Sequence, residues 1–149
     1  MKILMVCLGN ICRSPLAQGI LQSKMGDKVI IDSAGTINLH EGEAPDIRSQ
    51  LVAKKYGVDI SMQKSRPIVS TDFYEFDYIF CMDNNNYRDV MKMAPHDATA
   101  KVFPILAFAE MSQPSGVPDP YYGGVQGFDD VFQLLEKACY KVIQKIVNQ

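Results

Sequence analysis

The sequence predicts a single-domain α/β fold: a four-stranded parallel sheet with helices on both faces and an anion-binding loop after the first strand. Three observations predict it. Short apolar runs alternate with helix-like stretches from the N-terminus onward, and that alternation implies parallel strands joined by helical crossovers. The stretch VCLGNICRSP, Val6 to Pro15, places Cys, Gly, Asn and Arg in a turn directly after the first apolar run. A segment rich in Pro and Gly, PSGVPDPYYGG at 114–124, comes late in the chain. In such sheets ligands bind beyond the carboxyl ends of the strands, an edge that both segments can reach.

Each element has its own signal. KILMVC, Lys2 to Cys7, is a buried strand. Pro15 opens the first helix, where its missing N–H would have had no partner anyway. Leu16, Ile20 and Leu21, then Lys24 and Met25, follow at helical spacing. KVIIDSAG, Lys28 to Gly35, is the second strand, and APDIRSQLVAKKYG, Ala44 to Gly57, is a helix closed by glycine. DYIFCMD, Asp77 to Asp83, is the third strand, followed by a helix over Asn84 to Met93. AKVFPIL, Ala100 to Leu106, holds the fourth strand. The last helix has the clearest stripe: Phe128, Val131, Phe132, Leu135, Cys139, Val142, Ile143 and Ile146 recur at three-four spacing.

Bulk properties narrow the function classes. The 149 residues are enough for one packed domain over 1–149, and 47% are hydrophobic. A net charge of −2, from 15 basic and 17 acidic residues, argues against a general nucleic-acid or membrane binder. No run approaches the roughly 18 apolar residues of a membrane span. The N-terminus enters a Gly-Asn turn rather than a small-residue cleavage site, so no signal peptide is expected. Four Cys without a repeating pattern fit a reduced, cytoplasmic protein.

Three uses compete for the opening Cys-rich turn: a disulfide staple, a metal site, and an anion loop holding a reactive thiolate. The only His are His40 and His96, and there is no C-x2-C pair, which argues against zinc. The reducing compartment argues against a staple. The anion loop gives a use to Cys7, Gly9, Asn10, Arg13 and Ser14. A turn into a helix N-terminus aims backbone N–H groups and the positive dipole end at one spot, where a thiolate is stabilised. Arg13, the sixth residue after Cys7, can clasp two oxygens of a tetrahedral anion. Gly9 permits close backbone approach. Asn10 tolerates left-handed angles and bonds locally. The Ser14 hydroxyl can donate to the sulfur. No metal and no cofactor are expected.

VCLGNICRSP resembles the phosphate-binding loop of the low-molecular-weight protein tyrosine phosphatases. DSAGT at 32–36, FDYIFCMD at 76–83 and VPDPYYGG at 117–124 match that family in order, so the likeness covers essentially the whole chain. It implies Cys7 as nucleophile, Arg13 as phosphate clamp and Asp119, between Pro118 and Pro120, as general acid. It implies hydrolysis of phosphotyrosine proteins or small aryl phosphates through a cysteinyl phosphate. Inorganic phosphate is then both product and competing ligand. Leu8, Gly9, Asn10, Ile11, Cys12 and Ser14 would hold the substrate phosphate, and Asn10, Ser14 and Ser33 would brace the loop. Tyr121 and Tyr122 would wall the aromatic slot. Cys12 would be the redox partner of Cys7. Cys81 and Cys139 read as core and His96 as surface.

Two positions depart from the family pattern. Leu39 stands where many relatives carry an aromatic residue facing the slot, and Gln63 lies near a His that joins the bracing network in many members. Two related chemistries are less well matched. A thioredoxin-coupled arsenate reductase needs two further cysteines close together, and Cys81 and Cys139 are far apart in sequence. A cysteine phosphocarrier domain needs neither Arg13 nor Asp119.

Overall fold

A computed structural model describes residues 1–113 and 115–148; Pro114, the first residue of the predicted Pro- and Gly-rich loop, lies outside them. The strands are β1 (Lys2–Cys7), β2 (Ile30–Gly35), β3 (Tyr78–Cys81) and β4 (Lys101–Pro104). The helices are α1 (Arg13–Met25), α2 (Ile47–Lys55), α3 (Asp72–Glu75), α4 (Asn84–Met93), α5 (Ile105–Phe108) and α6 (Gly124–Val147). All strand pairs are parallel and their order is β2-β1-β3-β4.

That order reverses between β1 and β3, which opens a crevice beyond their carboxyl ends. Cys7 stands at this edge, in register with Gly35. Alternation along β1 divides the core in two. Ile3, Met5 and Cys7 pack with Leu16 and Ile20 of α1 and with Phe128, Phe132, Leu135 and Cys139 of α6. Leu4 and Val6 pack on the other face with Phe73, Ile79, Cys81 and Val90. The period of two in the strand thus serves helices on both sides. Among the described residues no helix is long and apolar enough to cross a membrane.

Element ends differ from the sequence expectation for local reasons. Helix α1 begins at Arg13, so Pro15 is its third residue. The first four helical N–H groups lack internal acceptors, and a proline there sacrifices nothing. Asp83 leaves the predicted strand and caps α4 by accepting from Asn86 N at 2.7 Å. Asp46 caps α2 in the same way through Arg48 N at 2.9 Å. The apolar run at 100–106 changes conformation after Pro104, and α5 buries Ile105, Leu106 and Phe108.

Two glycines are forced by close approach. A Cβ on Gly35 would stand 2.7 Å from the Leu8 carbonyl oxygen. Gly116 has φ +97 and a Cβ there would lie 2.6 Å from the Asp83 Cα. These contacts bring the turn after β1 onto the end of β2, and the late loop onto the end of β3.

Candidate active site

Residues 8–12 form a bowl between Cys7 and α1. Its carbonyl groups are pulled outward by donors from other segments. Thr36 N donates to Cys7 O at 3.0 Å, Ile37 N to Leu8 O at 3.1 Å, and Asp46 N to Ile11 O at 2.8 Å. Ser65 Oγ donates to Gly9 O at 3.0 Å. A trans peptide points its N–H opposite to its C=O. The N–H groups of Leu8, Gly9, Asn10 and Cys12 therefore turn inward. Helix α1 adds its N-terminus, where Cys12 makes no side-chain cap. This end of the helix is open to an anion.

A buried bracket fixes the bowl from behind. Asn10 holds φ 57, the left-handed region that Asn tolerates. Its Nδ2 donates to Ser14 Oγ at 2.8 Å and to Ser33 Oγ at 3.0 Å, while its Oδ1 accepts from Arg66 N at 3.1 Å. Ser33 Oγ donates to Gln18 Oε1 at 2.6 Å. Ser14 Oγ lies 3.0 Å from Cys7 Sγ. Because Ser14 accepts from Asn10, its own proton is left to point at the sulfur. Gln63 does not join this bracket. Its Nε2 donates to Pro15 O at 3.1 Å and its buried Oε1 has no partner. Arg66 reaches the bracket instead, with its guanidinium held by Asp32 and Asp72 at 3.0–3.1 Å.

Arg13 is buried at 3% exposure beside the bowl. Its Nη1 donates to Asp83 Oδ2 at 2.6 Å and to Val117 O at 3.0 Å. Its Nη2 lies 3.6 Å from Asp119 Oδ2. Burial works against the charge, but Cys7, Asp83 and Asp119 outweigh it and hold the guanidinium above its ordinary pKa. Asp119 Oδ1 accepts from Tyr121 N at 3.0 Å, which leaves Oδ2 as the oxygen turned toward Arg13.

Above the bowl is a pocket of about 230 Å³. Cys7, Leu8, Gly9, Ile11, Cys12 and Arg13 line it, with Ile37, Leu39, His40, Asp119, Tyr121 and Tyr122. Asn10 and Ser14 do not line it; their side chains lie behind the bowl. Leu39 and Tyr122 are highly exposed, and Tyr122 meets Tyr121 edge-on at 4.9 Å between ring centres. Burial, then Asp46, Cys7 and Asp119, push the Cys12 thiol up to about 12. Cys81 and Cys139 are buried away from the pocket, and His96 is exposed.

Sequence reasoning missed Ile37, His40, Asp83, Gln18 and Arg66. Asp83 follows a strand that lies beside β1, so it reaches the same sheet edge as Cys7. His40, whose Nδ1 lies 2.7 Å from Glu43 Oε2, carries no local motif that separates it from a surface histidine.

A slot with apolar walls over a bowl of inward backbone N–H groups, on a parallel α/β frame, fits the phosphatase class. Its relatives belong to that class. The family model described as low molecular weight phosphotyrosine protein phosphatase matches residues 2–149. A putative low molecular weight protein-tyrosine-phosphatase of Synechocystis sp. is 42% identical, over 98% of this chain and 96% of its own. The human low molecular weight phosphotyrosine protein phosphatase is 36% identical, over 97% and 94% respectively. The crystal structure of a protein tyrosine phosphatase from Entamoeba histolytica with Hepes in the active site superposes with a TM-score of 0.92 at 44% identity. That superposition covers 99% of this chain and 97% of the other. The chain belongs to the low molecular weight phosphotyrosine protein phosphatase family.

Proposed function

We propose that this protein hydrolyses phosphotyrosine and small aryl phosphates through a cysteinyl phosphate on Cys7. Asp119 acts first as general acid and then as general base. One observation carries the reading: Cys7, the open end of α1, Arg13 and Asp119 Oδ2 converge on one pocket.

The phosphoryl group enters the bowl, where inward N–H groups and Arg13 bind its oxygens. The apolar side chains of Ile11, Ile37 and Leu39, with Tyr121 and Tyr122, flank the aromatic ring. Cys7 Sγ attacks phosphorus as the thiolate. The S–P bond forms as the P–O bond to the phenol breaks, and Asp119 Oδ2 gives its proton to the departing oxygen. Water then attacks phosphorus while Asp119 takes its proton. Inorganic phosphate leaves, and the thiolate that returns is stabilised by the Ser14 hydroxyl and the helix end. Acid quench during turnover, followed by mass spectrometry, tests this directly. Phosphate is expected on Cys7; phosphate on another side chain overturns the mechanism.

Leu39 borders the slot entrance, so Leu39→Trp is expected to change relative kcat/KM values across phosphotyrosine peptides. At this exposed site stability should move by less than about 0.5 kcal/mol. An unaltered ranking across a peptide panel would remove Leu39 from substrate recognition.

Cys12 is proposed as the redox partner of Cys7, in the reducing cytoplasm that suits four free thiols. Both cysteines line the pocket. With its raised pKa, Cys12 stays protonated near neutral pH and leaves the attack on phosphorus to Cys7. Peroxide converts the Cys7 thiolate to a sulfenic acid and releases hydroxide. The Cys12 thiol then displaces water to form a disulfide. Peroxide-inactivated wild type should recover with added thiols, whereas Cys12→Ser should retain activity but lose most of that recovery. A disulfide from Cys7 to Cys81 or Cys139 in the oxidised protein would refute the pairing.

A further inference from the structure

The segment that carries Asp119 belongs to no strand or helix between Val117 and α6. Its start is tied to the sheet edge by Val117 N, which donates to Met82 O at 2.8 Å. Beyond Asp119 a different anchor takes over. Arg48 Nη1 donates to the Tyr121 carbonyl oxygen at 2.8 Å. The same guanidinium forks onto Asp46, with Nε to Oδ1 at 3.0 Å and Nη2 to Oδ2 at 2.9 Å. It also lies over the rings of Tyr121 and Phe128, 5.2 and 4.6 Å from their centroids. Asp46 in turn donates its N–H to the Ile11 carbonyl of the bowl.

These contacts form one continuous path. The Ile11 carbonyl fixes Asp46, and Asp46 fixes the plane of the Arg48 fork. The fork fixes the Tyr121 peptide, whose own N–H holds Asp119 Oδ1 at 3.0 Å. A planar guanidinium bound at two edges has little freedom to aim elsewhere. The path joins the bowl that holds the phosphorus to the carboxyl group that must protonate the leaving oxygen.

We propose that Arg48 is a positioning residue, a clasp that sets the distance between the general acid and the phosphate bowl. The proposal rests on the function assigned above to Asp119. Arg48 touches neither phosphate nor leaving group. Its effect appears only where the leaving oxygen needs a proton.

The test replaces Arg48 with Met, which keeps an apolar stem over Phe128 and removes the fork. On phosphotyrosine, kcat/KM is expected to fall roughly 10- to 100-fold, as a displacement of about 1 Å at a reacting group would cause. On aryl phosphates with strongly acidic phenols the loss should stay below about threefold. Inhibition by inorganic phosphate should be unchanged, and Arg48→Lys should recover part of the loss. In an Asp119→Asn background, Arg48→Met should cost nothing further on phosphotyrosine. Amide exchange at residues 119–123 should quicken in Arg48→Met.

Equal losses on all leaving groups, additive losses with Asp119→Asn, or unchanged amide exchange would each overturn the clasp. Should Arg48→Met unfold at assay temperature, Asp46→Asn loosens the fork and is read by the same criteria. Wild type without aryl phosphatase activity would instead refute the functional reading, and amide exchange would still judge the clasp.

Discussion

Cys7→Ser is expected to lower hydrolysis of aryl phosphates by about 10⁴-fold or more, the scale on which loss of a nucleophile is felt. The substitution changes little else. Serine is nearly the size of cysteine, and the Ser14 hydroxyl that faces Cys7 Sγ at 3.0 Å can bond an oxygen equally well. Arg13 keeps Asp83 and Val117 as partners. The bowl keeps its inward N–H groups, because their orientation is set by outward carbonyl bonds that do not involve the sulfur. The variant should therefore retain binding of inorganic phosphate while losing turnover. Steady-state kinetics beside a phosphate titration by calorimetry separates these outcomes. Activity within about tenfold of wild type would remove Cys7 from the reaction. Loss of phosphate binding would assign it to the architecture of the bowl.

Asp119→Ala is expected to cost roughly 10²–10⁴-fold on phosphotyrosine, whose phenol leaves poorly without a proton. On aryl phosphates with very acidic phenols the same change should be mild in kcat/KM. The reason is geometric. Asp119 Oδ1 is occupied by Tyr121 N, and Oδ2 is the oxygen turned toward Arg13. Removing the carboxyl group also takes one anion from beside Arg13, which keeps Asp83 and stays charged. Phosphate affinity should therefore hold or rise. An equal loss on good and poor leaving groups would show that Asp119 shapes the loop rather than transferring a proton.

The turn after β1 was legible in the sequence because its constraints are local. An apolar run ends in Cys7, Gly and Asn supply the turn, and a proline stands in the first turn of the helix that follows. The stripe on α6 was equally plain, since a long helix against a sheet must repeat its apolar residues. The short helices α3 and α5 were not legible. Four residues carry too little periodicity, and the run at Ile105 packs equally well as strand or helix until its neighbours are known. The partners Asp83 and Arg48 escaped for another reason. Each is more than thirty positions from the residue it serves, and only the fold brings them together. Gln63 marks the limit of transfer by analogy: it lies outside the bracket, and the backbone of Arg66 enters it.

The bonds that pull the carbonyls of the bowl outward come mostly from main-chain N–H groups, at Thr36, Ile37 and Asp46. Those bonds are indifferent to the side chains that the same residues carry. Ile37 can thus hold the cradle with its backbone while its side chain forms part of the slot wall. At Ile37 the atoms that hold the bowl and the atoms that line the slot are thus separate. Descent within such a scaffold can redraw what the wall admits, position by position, without renegotiating how phosphate is held.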